Sequence, residues 1–291
     1  MQEFKNSNQM KSFMKKESIR LGMSINNVYS TFLSRLMLEK ISKYSDNKIL
    51  IKGSSAETAY LGKLVRGITD VDIASVNNLE ENLEIFKKVI DDNDNKISFN
   101  ISRKPLITRT GIYKIPLIGY FDKMRQPLGI DYQEKYNRLI ELEEIVMPKI
   151  FEGDEEFKIN VPSFEEYLAE KLCIILESNK PDVLNTRVKD FYDIYELHGG
   201  KYNPDKLTSY FKKMLLLRGK LNLEDASTLY LDRNFVLNHQ SIWDSTKEKY
   251  DFLDSEIDFY GAVYYTRAVL REELHKNGNI IFDETNIVLK K

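Results

Sequence analysis

The sequence predicts an α+β protein: a mixed α/β unit preceded by helices and followed by a helical region. Three observations predict it. Apolar residues recur at three- and four-residue spacing through residues 1–45, short apolar runs bounded by Gly, Pro and charge fill 46–150, and long helical patterns occupy 151–291. A chain of 291 residues also suits about two domains on the usual prior of roughly 100–200 residues each. The predicted organisation is N-terminal helices over 1–45 packing on the core, a mixed-sheet domain over 46–150, and a helical domain over 151–291 that completes a cleft.

Val28, Phe32, Leu33, Leu36, Leu38 and Ile41 define the first helical stretch, which is broken near Gly22 to Ser24. The run KILIK from Lys48 then reads as a buried strand ending in a turn at Gly53. A second strand is expected at Val71 to Ala74, and a helix from Leu79 to Ile90 on the spacing of Leu83, Phe86, Val89 and Ile90. ISFNIS, GIYKIPLIGYF and QPLGIDYQ read as extended, and Pro105, Pro116 and Pro127 predict edge strands or bends rather than a central parallel sheet. Strand signals fade beyond the acidic stretch Glu141 to Glu156. Ser163 with Glu166 has the form of a capping box opening a helix that ends at Pro181. An antiparallel neighbour is predicted over Asp182 to Leu197, with further helices at Asn203 to Leu217 and Thr246 to His275.

Composition excludes several function classes. Forty-three Lys plus Arg against 45 Asp plus Glu leave a net charge of −2, so bulk electrostatics do not make this a nucleic-acid binder; any polyanion must meet a local patch. The single cysteine, Cys173, rules out an internal disulfide framework and a cysteine-based zinc site, and the three histidines, His198, His239 and His275, lack ligand spacing. Seventeen Tyr and 15 Phe argue against disorder. With no signal-peptide pattern and no apolar run near the ~20 residues of a bilayer span, the expected setting is cytoplasmic, with no membrane partner.

The chemistry concentrates in Lys52 to Ala74. Gly53 and Ser54 follow a strand and open a helix, so Gly53 allows a phosphate close to the chain and the helix start offers N–H groups to an anion. Asp70 and Asp72 lie two apart in an apolar strand, which sets both carboxylates on one face. Their mutual repulsion calls for a cation, and Mg²⁺ is the hard, oxygen-seeking ion such a pair holds together with substrate phosphates. Asp131, interrupting a later apolar strand pattern, is the candidate third carboxylate. This spacing suits nucleotidyl transfer better than kinase chemistry.

Lys52-Gly53-Ser54 followed by Arg66-Gly67-Ile68-Thr69-Asp70-Val71-Asp72 resembles the signature of AbiEii/AbiGii-type toxins, a branch of the DNA polymerase β-like nucleotidyltransferases related to the MenT toxins. EEYLAEKLCIIL from Glu165 and RVKDFYDIYEL from Arg187 are similar to that family's downstream helical motifs. The resemblance implies a polymerase β-like core and an NTP as co-substrate held by Lys52, Gly53, Ser54, Arg66 and Lys171. It implies Mg²⁺ on Asp70, Asp72 and Asp131, and an essential Lys171 with one of Asp190 and Asp193; spacing leaves open which. An ammonium beside the apolar stripe Leu168, Leu172 and Ile175 needs an anionic partner, which a triphosphate in the cleft or these aspartates would supply. Arg66 either holds phosphate or bridges to an acidic neighbour.

Lys96, Arg103, Lys104, Arg109, Lys114, Lys123 and Arg125 face only one acidic residue, Asp122, and interleave with Phe99, Tyr113, Tyr120 and Phe121. Cations among stacking platforms suit a single-stranded RNA end. A second basic cluster, Lys212, Lys213, Arg218 and Lys220, extends the track, whereas Trp243, Tyr250, Phe252, Phe259 and Tyr260 read as helical core. The resemblance makes tRNA, at its 3′ acceptor end, the favoured acceptor. It also implies a type IV toxin–antitoxin or phage abortive-infection role with a cognate antitoxin encoded nearby. The rival readings are a nucleotidyltransferase acting on a protein or small-molecule hydroxyl, and a catalytically inactive RNA-binding module.

Overall fold

The computed structural model describes residues 3–45, 48–92, 96–134, 142–178, 184–198, 200–218, 231–254, 256–276, 280–282 and 287–289. Pro181, Asp182, Lys220 and Glu141 lie outside the described residues. The chain divides into two compact units, one of residues 1–162 with 250–253, the other of 163–249 with 254–291.

The first unit opens with α1 (Ser7–Leu21) and α2 (Ile25–Ser45). The Asn6 side chain accepts from the Gln9 N–H at 3.0 Å to start α1, and Gly22 ends it at φ +66°. There follow β1 (Ile49–Ile51), α3 (Gly53–Leu61), β2 (Asp70–Ser75), α4 (Leu79–Asp91), β3 (Ser98–Ile101), β4 (Leu106–Ile107), β5 (Ile112–Phe121) and β6 (Met124–Gln133). The main sheet runs β1-β2-β6-β5-β3, with β4 also on β5. Among the described strands of this sheet only β2 and β6 pair in parallel; the other pairs are antiparallel.

Strand alternation decides which side chains this sheet buries. Val71, Ile73, Ile115, Leu117, Leu128, Ile130 and Tyr132 are buried, and their pairing, Ile115 with Ile130 with Val71, sets them on one face. Helix α2 packs on β1, β2 and β6, and α4 packs on α2 and β3. The other face carries Asp70, Asp72, Lys114, Pro116, Gly129 and Asp131.

The proline-bearing runs are central strands, not edges. Pro127 precedes the residues of β6 that pair with β2, and Pro116 falls between the residues of β5 paired with β4 and with β3. Each proline therefore stands where one flanking ladder is missing, so its lost N–H costs no pairing. Nor do strands stop at the acidic stretch, beyond which the sequence signal fades. Leu142–Met147 and Phe157–Pro162 form an antiparallel hairpin, β7–β8, whose second strand lies beside β1. A distant segment completes this unit: the Tyr250 carbonyl accepts from Gly67 N–H at 2.7 Å, and Leu253 N–H donates to the Val65 carbonyl at 2.9 Å.

The second unit holds α5 (Phe164–Ser178), α6 (Val188–Leu197), α7 (Pro204–Arg218), α8 (Arg233–Tyr250) and α9 (Phe259–Lys276), then a hairpin of β9 (Ile280–Phe282) and β10 (Ile287–Leu289). Tyr250 is counted with α8 yet clusters with the first unit. Ser163 Oγ accepts from the Glu166 N–H at 3.3 Å, the cap its sequence announces. Helix α6 begins later than expected, because Asn185 folds its side chain onto the Arg187 N–H at 2.8 Å, a local bond that competes with helix. The pattern over Thr246 to His275 is likewise interrupted: Asp251 takes φ +47° and closes α8. Phe191, Phe235, Trp243 and Phe259 form the aromatic core, with Trp243 and Phe259 stacked at 4.9 Å. Tyr260 departs from this group and is exposed. No described helix is long and apolar enough to cross a membrane.

Candidate functional site

Parallel pairing of β2 with β6 aligns Asp72 with Asp131 and Asp70 with Gly129. The period-two repeat of β2 turns both of its aspartates to the same side. As a result Asp70, Asp72 and Asp131, all half-buried, bring one carboxylate oxygen each within 4.8 Å of one another. Three carboxylates that close repel in the absence of a cation. Their donor set, oxygen only and on rigid strands, fits a hard divalent ion such as Mg²⁺.

Antiparallel pairing adds a fourth member. Lys114 on β5 stands directly opposite Asp131, and its ammonium lies 2.7 Å from Asp131 Oδ2 while the side chain remains 56% exposed. The hydrogen bond to Asp131, reinforced by the charges of Asp131, Asp70 and Asp72, holds the lysine pKa above its ordinary value although burial opposes this. The sequence placed Lys114 only in a basic run; its partnership depends on the hairpin register.

Beside the triad the chain leaves β1 at Lys52, whose N–H donates to the Asp72 carbonyl at 2.8 Å. Gly53 then takes φ +59°, and a Cβ there would sit 1.9 Å from Asp72 Oδ2. Only glycine fits this turn. Gly53→Ala is expected to push Asp72 aside and to cut transfer at least about a hundredfold, since misplacing a reacting group by about 1 Å carries that cost. A folded variant with wild-type activity would show that the contact is dispensable. Ser54 and Ser55 are buried in the first turn of α3, and Ser55 Oγ has no hydrogen-bond partner among the described residues. The Lys52 ammonium reaches Gln133 Oε1 at 3.4 Å.

Arg66 is buried, with its guanidinium 3.9 Å from Glu57 and 5.6 Å from the Tyr250 ring centroid. It thus bridges to an acidic neighbour within the first unit. In the second unit α5 directs Lys171 at two carboxylates of α6, Asp190 Oδ1 at 3.1 Å and Asp193 Oδ2 at 2.6 Å. All three side chains are buried, and Arg187 Nε approaches Asp190 Oδ2 at 2.7 Å. Of the basic run, all seven cations are exposed and Tyr113 and Tyr120 are half-buried. Phe99 and Phe121 are buried in the core and present no stacking surface, a correction to the sequence reading.

A mixed sheet with two carboxylates on one strand, a third on its parallel neighbour and a glycine turn beside them defines a nucleotidyltransferase fold. The family profile of the nucleotidyl transferase AbiEii toxins of type IV toxin–antitoxin systems matches residues 68–263, more than half of the chain. The chain belongs to this family and is a nucleotidyltransferase toxin. Among solved structures it is similar to MenT4, a nucleotidyltransferase toxin from Mycobacterium tuberculosis H37Rv, at 15% identity and TM-score 0.58, covering 92% of this chain and 98% of that one. JHP933 from Helicobacter pylori is similar at 16% identity and TM-score 0.49, over 88% and 94% of the two chains. No curated protein shows significant sequence similarity to the chain.

Proposed function

We propose that the enzyme transfers NMP from an NTP to the 3′ acceptor end of a tRNA, with release of pyrophosphate, and that this arrests growth as the toxin arm of an abortive-infection system. The convergence of Asp70, Asp72 and Asp131 carries the reading of the chemistry. These residues would hold Mg²⁺, which when bound supplies charge neutralisation and orientation of the triphosphate. The acceptor hydroxyl oxygen attacks the α-phosphorus as the bond to pyrophosphate breaks. Asp131 completes the ion's ligand set or takes the hydroxyl proton.

Lys52, Gly53 and Ser54 bind phosphate at the start of α3. Arg66, held by Glu57, braces that turn and adds positive potential for the nucleotide. Lys171 serves nucleotide phosphate, and Asp190 or Asp193 orients base and ribose. The seven exposed cations of residues 96–125 favour an RNA over a cationic small molecule as acceptor. The family's type IV toxin–antitoxin role supports a cognate antitoxin encoded nearby and a cytoplasmic setting.

The test is incubation with each labelled NTP, Mg²⁺ and total tRNA. Label is expected in RNA from one or more nucleotides. Label entering protein, or nothing, would overturn the RNA acceptor.

A further inference from the structure

Helix α9 buries Ala262, Val263, Thr266, Val269, Leu270 and Leu274 on one side. At about 100° per residue, Tyr260, Tyr264, Arg267, Ala268, Arg271 and His275 fall within an opposite arc of roughly 100°. This arc contains no carboxylate. The acidic residue flanking it, Glu272, is tied to Lys276 at 2.6 Å. Tyr260 and Tyr264 are 56% and 62% exposed, and their rings lie within 17° of parallel with centroids 6.3 Å apart. Arg267 and Arg271 continue the stripe, both half-buried.

We propose that this face of α9 is a binding track for single-stranded RNA, the acceptor class inferred above; the inference rests on that RNA reading. Tyrosine faces accept bases of any sequence, and guanidinium groups meet phosphates or stack in turn. Charge selects the occupant: the arc carries guanidinium groups and no carboxylate, which suits a polyanionic strand. From Tyr260 to His275 the stripe runs roughly 22 Å at ~1.5 Å per residue, long enough for several nucleotides. The platform is rigid. Tyr265 of the same helix packs on Tyr195 at 5.8 Å and on His198 at 5.1 Å, both at the end of α6, the helix that carries Asp190 and Asp193.

The test is fluorescence anisotropy of the full chain with a labelled single-stranded RNA of about 12 nucleotides and with total tRNA, alongside the labelled-NTP transfer assay. Tyr260→Ala with Tyr264→Ala should weaken RNA affinity about tenfold to a hundredfold, whereas the double Phe variant retains it. Arg267→Gln should flatten the dependence of log affinity on log salt by about 0.7, the slope of one phosphate contact on a single strand. A circular-dichroism melt unchanged from wild type shows that the variants fold. If wild type labels RNA and the Ala pair binds and labels it equally well, the track is refuted and the acceptor reading survives. If wild type neither binds nor labels RNA, the acceptor reading fails and takes the track with it. Intact RNA binding with lost transfer to a protein acceptor would make the face protein-directed and overturn the assignment.

Discussion

Asp70→Asn with Asp72→Asn is expected to abolish nucleotidyl transfer while making the metal-free protein more stable. Loss of one preorganised group that stabilises developing charge costs about 10²–10³ in rate, so loss of two carboxylates from a set that converges within 4.8 Å should cost at least ~10³. The stability effect has the opposite sign. Three carboxylates gathered on one sheet face repel, and Lys114 contacts only Asp131 among them; removing two charges relieves a strain kept for function. A gain of about 1 kcal/mol, roughly 2–4 °C in melting temperature for a unit of this size, is the expected magnitude. Calorimetry without divalent ions measures it, and added Mn²⁺ should then raise the melting temperature of wild type and leave the variant unmoved. A double variant less stable than wild type would mean that the aspartates are structural.

Lys171→Met is expected to destabilise the second unit by about 3–5 kcal/mol, the usual consequence of removing one partner from a buried ion cluster. Asp190 and Asp193 would lose the ammonium that now contacts both. Asp190 would retain Arg187 at 2.7 Å. Diminished transfer by Lys171→Met therefore reports folding as well as chemistry, and the two separate only if denaturant unfolding is measured beside the rate. Adding Asp190→Asn and Asp193→Asn to Lys171→Met should recover much of the stability, because neutral amides leave no unpaired buried charge, without restoring transfer. Wild-type stability in the single variant would contradict the ion-cluster account. Transfer regained in the triple variant would remove the three residues from the reaction.

Much of the fold was legible because local periodicity carries it. The helix pair of residues 1–45, the KILIK strand, the capped helix at Ser163 and the DxD strand each bear their signal within a few residues. The β7–β8 and β9–β10 hairpins escaped, since strands of three to six residues embedded in charge give too little alternation to read. Prolines misled about β5 and β6, because whether a proline is tolerated depends on where the neighbouring ladder begins and ends, and that is set by another strand.

The sequence by itself supplied the groups of the candidate site: two carboxylates at period two, a glycine before a helix, and a later aspartate within an apolar strand. Tertiary structure alone decided their company. Register across β5 and β6 gave Asp131 its lysine, packing gave Arg66 to Glu57 and the ring of Tyr250, and helix pairing gave Lys171 both aspartates at once. Spacing along a strand or helix fixes which side chains share a face, because the backbone repeat is local. Which residue they meet across space depends on pairing between segments far apart in the chain, and no local repeat encodes that.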